Sequence, residues 1–177
     1  MFKSFFKLLN KEKGSKLCCF TPEVMVATFV VESLMALYVF VRYKISKFVF
    51  LNIIILILLA VFQLAEFFIC RGSNEFFWLK SGFVSITFLP IVGLHLMTTI
   101  YKEDTNILRL GYLASIFITA FFIFLPKSLI DPICGGNYII FYTTSKLRWF
   151  YTFYYFSILV FGIFYAWEGI MDKNIKI

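Results

Sequence analysis

The chain has 177 residues, 61% of them hydrophobic and 21% aromatic, with 25 Phe and a formal net charge of +7. Soluble domains use about 45–50% apolar residues, so this composition excludes a water-soluble globular protein. It leaves room for four to six membrane-crossing helices of about 20 residues each and for no separate soluble domain. The positive charge fits anionic lipid headgroups and makes nucleic acid a poor partner.

Residues 1–21 form a basic tail. Phe2, Phe5, Phe6 and Leu9 recur at i, i+3, i+4 and i+7, with Lys3, Lys7 and Lys11 on the other side. That pattern describes a short amphipathic helix lying among headgroups, and a frayed basic tail is the plainer alternative. The first apolar run, Pro22–Val41, is longer than the roughly 7–15 residues of a signal-peptide core, and no small-x-small cleavage pattern precedes Arg42. It reads as an uncleaved signal anchor.

Four further apolar runs follow: Phe48–Cys70, Phe76–Ile100, Ile107–Leu125 and Trp149–Met171. Backbone polar groups must be satisfied internally in lipid, so all five runs are predicted to be helices. The connectors Arg42–Lys47, Arg71–Asn74 and Tyr101–Asn106 are short and charged, which makes neighbouring helices antiparallel. The predicted fold is all-α: a single polytopic transmembrane bundle of about five spans over residues 1–177. Residues 126–148 form an extramembrane or re-entrant loop between spans 4 and 5. There Asp131-Pro132, Gly135-Gly136-Asn137 and Thr143-Thr144-Ser145 surround an apolar run, Tyr138–Tyr142, that is too short to span. It is readable as an interfacial strand or hairpin, or as a loop folded over one end of the bundle.

We call the face holding the N-terminus face A and the opposite one face B. Ten Lys and Arg residues fall on face A and seven on face B, which predicts a cytoplasmic N-terminus. Without the five lysines of the tail the count becomes five against seven and the orientation inverts.

Ionisable residues inside the spans are the candidate site. A charge at the bilayer centre costs roughly 2.5–3.5 kcal/mol, so such residues face a bundle interior, a wet cavity or a partner. In the face A half, Glu32 lies on span 1, and Gln63 and Glu66 share one face of span 2, continued by Cys70. Glu32 and Glu66 are expected to face each other or a shared polar cavity. Towards face B lie Asn52, His95 and Glu168, where a His95–Glu168 pair would give a group that titrates near neutral pH. The plainer readings are snorkelling for Glu168 and simple packing for His95.

Packing signals are also present. Gly111, Ser115 and Thr119 form a small-residue stripe on span 4, and Gly162 and Ala166 a shorter one on span 5, both read as helix contact faces. Ser81, Ser85, Val92, His95 and Thr99 line one side of span 3, predicted to look inward, and Pro90 is expected to bend that helix. Trp78, Tyr101, Tyr138, Tyr142, Trp149 and Tyr151 sit near span ends as an interfacial aromatic belt.

All four cysteines, Cys18, Cys19, Cys70 and Cys134, fall on face A. A cytosolic face A keeps them reduced, whereas an extracytoplasmic one permits a disulfide from Cys134 to Cys70 or to the Cys18-Cys19 pair. Small buried hydrophobes are the plain reading. A metal is disfavoured, because vicinal cysteines lack the Cys-x-x-Cys spacing and no histidine is near. A single histidine and the absence of G-x-S-x-G and P-loop motifs disfavour metal hydrolysis and the common catalytic classes, and no cofactor motif is present.

Cys19-Phe20-Thr21-Pro22 before span 1, Gln63-x-x-Glu66 in span 2, Cys134 through Tyr138 in the loop and Tyr154-Tyr155 in span 5 resemble a set of uncharacterised bacterial multi-spanning membrane proteins. These open with Cys-Phe-Ser and carry Gln-x-x-Glu in the second helix. Thr21 stands where that set has Ser, the tail is longer, and the set continues through further helices. The resemblance implies a helical bundle and weight on Cys19, Gln63 and Glu66, without an activity.

The sequence therefore predicts a small transporter, channel or ligand-binding sensor with an intramembrane carboxylate site. A structural or assembly subunit, pairing with a second copy or another membrane protein, is the first alternative, and an intramembrane enzyme the second.

Overall fold

The computed structural model describes residues 22–71, 75–101, 106–124, 129–135, 138–143 and 145–171. The predicted tail helix, Cys18 and Cys19 lie outside the described residues. Among these residues there are five long helices: α1 (Pro22–Arg42), α2 (Lys47–Cys70), α3 (Glu75–Tyr101), α4 (Asn106–Phe124) and α5 (Ser145–Met171). Each is long and apolar enough to cross a membrane, so the chain is a multi-pass helical membrane protein. The helix ends agree with the predicted runs to within a few residues. The exception is α5, which begins at Ser145 rather than Trp149 and so draws two basic residues into its first turns.

Between α4 and α5 the turn-rich stretch folds as an antiparallel pair, β1 (Leu129–Gly135) and β2 (Tyr138–Thr143). Gly135 pairs with Tyr138 and Leu129 with Thr143, with an irregularity between Ile130 and Ile133. That irregularity coincides with Asp131-Pro132, because proline has no N–H to give a ladder. The hairpin backbone touches α2 and α5, and it follows the face A end of α4, which places it at face A.

The helices are arranged as a partly open row. α3 is central, packing on α2, α4 and α5, whereas α1 leans chiefly on α2. The core lies where α3, α4 and α5 meet: Phe83, Ile91, Leu94, Leu108, Ile118, Phe122 and Ile158 are all buried. The Phe83 ring lies 4.5 Å from Phe122 and 5.1 Å from Tyr151, centroid to centroid. With lipid as apolar as leucine, such contacts stabilise through close packing rather than through escape from water. Conversely Val31, Leu34, Phe117, Phe153 and Phe164 are exposed on the outer faces, as lipid solvation requires.

Local chemistry fixes the ends. Ser46 caps α2, its side chain accepting from the Val49 N–H at 3.3 Å. At face A, Lys80 Nζ donates to the Ile123 carbonyl at 2.9 Å and sits 4.0 Å from the Phe76 ring centre, joining a cation to the negative C-terminal end of α4. Nearby, the Phe68 and Trp78 rings stack at 4.4 Å and pin α2 to α3.

Candidate functional site

In the face A half, α1 and α2 carry the predicted carboxylates. At 1.5 Å rise per residue Glu32 lies about 15 Å below the face A end of its helix, Gln63 about 10 Å and Glu66 about 6 Å. Glu66 is buried, only 7% exposed. Glu32 and Gln63 are half-buried, yet Glu32 Oε2 and Gln63 Oε1 are fully shielded and have no hydrogen-bond partner among the described residues. Thus two oxygen acceptors at neighbouring depths on packed helices lack donors. Such a shortfall costs about 1–3 kcal/mol per group. Cys70, at the end of the same helix, is disulfide-bonded.

In the face B layer His95 Nδ1 bonds the Tyr112 hydroxyl of α4 at 2.9 Å, the rings meeting edge to face. Glu168 is exposed at the end of its span. Asn52 donates to its own helix at the Phe48 carbonyl, 2.9 Å away.

A second polar cluster joins the three core helices. The Tyr154 hydroxyl of α5 donates to the Thr87 carbonyl of α3 at 3.0 Å and contacts Ser115 Oγ of α4. Ser115 in turn reaches the Gly111 carbonyl at 2.7 Å. Two hydroxyl protons serve these three oxygen contacts, so the Ser115–Tyr154 contact carries a proton only when one of the carbonyl bonds is relinquished. Thr87 Oγ1 gives its proton to the Phe83 carbonyl at 2.7 Å. The same Thr87 Oγ1 lies 3.5 Å from the Tyr151 hydroxyl, the longer of its two contacts.

This cluster corrects the belt assignment: Tyr151 points into the core rather than to the interface. Trp149 is exposed as predicted, and Trp78 is half-buried against Phe68. The side chains of Tyr101, Tyr138, Tyr142 and Cys134 lie outside the described residues. On α3, Ser85 and Val92 are buried as predicted, and the helix runs on through Pro90.

The two small-residue stripes separate. A Cβ on Gly111 would overlap Ile91 Cδ1, so α3 and α4 approach closely there. A Cβ on Gly162 would meet nothing within 4 Å. Among the described residues Gly162 therefore meets no neighbouring helix closely, and Ala166 lies one turn further along α5. With Pro90 and Gly93 they line an apolar groove of about 450 Å³ between α3 and α5. A similar groove of about 430 Å³ separates α4 from α5. Neither is lined by Glu32, Gln63 or Glu66.

Among the described residues no group of three or more His, Cys, Asp or Glu is arranged to hold a metal ion. The chain matches no family model, no curated protein and no solved structure.

Proposed function

We propose that the protein is a small membrane transporter, channel or ligand sensor that holds a proton, a small cation or a protonated amine at Glu32, Gln63 and Glu66. The observation that carries this reading is the pair of shielded acceptors, Glu32 Oε2 and Gln63 Oε1, without donors. A ligand that supplies positive charge or N–H groups satisfies both, whereas an anion satisfies neither. Buried Glu66 adds a second carboxylate on the same face of α2 as Gln63. Reconstitution into vesicles containing a pH-sensitive dye tests the reading. The wild type should collapse an imposed gradient of protons, alkali cations or methylamine, and Glu66→Gln should not, at equal protein incorporation. Unchanged leakage in both would refute the transporter and channel forms of the reading.

The assembly-subunit reading has its own support. α1 packs chiefly on α2 and keeps Val31, Leu34, Leu37 and Tyr38 exposed, which leaves a helix face for a second copy or another membrane protein.

A further inference from the structure

Cys70 closes α2 at face A and is disulfide-bonded. The chain has only three other cysteines, Cys18, Cys19 and Cys134. Topology brings all of them to the same face: residues 18 and 19 precede α1 at its face A end, and Cys134 lies in β1, whose backbone touches α2. Whichever of the three is the partner, the bond lies at face A. Cytosolic glutathione and thioredoxin keep thiols reduced, and disulfides persist in the periplasm, the secretory lumen or outside the cell.

We infer that face A, with the N-terminus and the hairpin, faces an oxidising compartment, opposite to the orientation that the full charge count predicts. A second observation agrees. Outside the tail, Lys and Arg number five on face A and seven on face B, which favours a cytoplasmic face B. Against this stand the five tail lysines. Charge biases insertion by degrees, whereas a reducing cytosol removes the bond altogether, so the disulfide decides. Its formation converts two thiols to one S–S bond and releases two protons and two electrons. A protein disulfide of the disulfide-forming machinery accepts both electrons and both protons and becomes a dithiol. A ligand of the Glu32–Gln63–Glu66 site, on the reading proposed above, then enters from outside.

The test does not depend on what the site binds. Intact cells making the full chain are treated with N-ethylmaleimide to block free thiols, washed, reduced with a membrane-impermeant phosphine, washed again, denatured and tagged with maleimide-polyethylene glycol. Two tags per chain are expected without permeabilisation, and none in a chain with Cys18→Ser, Cys19→Ser and Cys134→Ser together, which leaves Cys70 no intrachain partner. A C-terminal fusion to a fluorescent protein that matures only in the cytoplasm should glow, because five spans put the C-terminus on face B. Tags that appear only after permeabilisation, Cys70 already blocked before reduction, or a dark fusion of full length would each overturn the orientation.

Discussion

The Tyr154 hydroxyl of α5 donates to the Thr87 carbonyl of α3 at 3.0 Å, one residue beyond the Ile86 carbonyl that Pro90 leaves without its helical donor. The helix therefore gains an outside donor beside the turn that proline weakens, and the same hydroxyl contacts Ser115 on α4. Three helices share one phenol.

Removing that hydroxyl should loosen all three. Tyr154→Phe is expected to lower stability by about 1 kcal/mol, near the average for interhelical hydrogen bonds in membranes. Combined with Ser115→Ala the loss should be smaller than the sum of the single losses, since the two groups share a contact. Unfolding in mixed detergent micelles, followed by circular dichroism, measures both.

Gly111 and Gly162 should respond oppositely to the same change. Gly111→Ala forces Ile91, which is fully buried, to move, and overpacking of this kind costs about 1–3 kcal/mol. Ile91→Val removes the overlapping Cδ1 and should restore part of the loss. Gly162→Ala meets open space and should be neutral or stabilising by up to about 1 kcal/mol through helix propensity. Thermal unfolding of Gly111→Ala, of Gly111→Ala with Ile91→Val, and of Gly162→Ala separates these cases.

Lys80→Met should cost about 0.3–1 kcal/mol, because it deletes a donor and a cation at the C-terminal end of α4 while keeping the apolar stem. Lys80→Arg should retain most of the interaction. The same unfolding measurement distinguishes them.

The spans were legible because hydrocarbon thickness dictates about 20 apolar residues per helix, a demand that Phe48–Cys70 or Phe76–Ile100 meets without any tertiary information. Glu66 was legible for the converse reason, as a carboxylate among apolar neighbours. The Thr87–Ser115–Tyr154 cluster was not. Its members come from three helices, and helices that are apolar all round give no face by which to pair them. Ser115 was read as a small packing residue, which it also is, and Tyr151 as an interfacial ring because it sits near a span end. Gly111 and Gly162 carried the same local signal. Only the position of Ile91 shows that one is crowded and the other faces a groove.

Binding of a positively charged or proton-donating ligand at Gln63 and Glu66, with Glu32, is read without any need for transport by ligand-induced stabilisation of the purified protein. A ligand bound only by the folded state raises stability by about 2.7 kcal/mol at a hundred times its Kd. With sodium, potassium, calcium and methylammonium titrated at constant ionic strength, at least one is predicted to raise the wild-type Tm saturably. Gln63→Leu and Glu66→Gln should keep the helical spectrum and lose that rise. An unresponsive wild type, or an equal rise in all three proteins, would rule out cation binding at these residues.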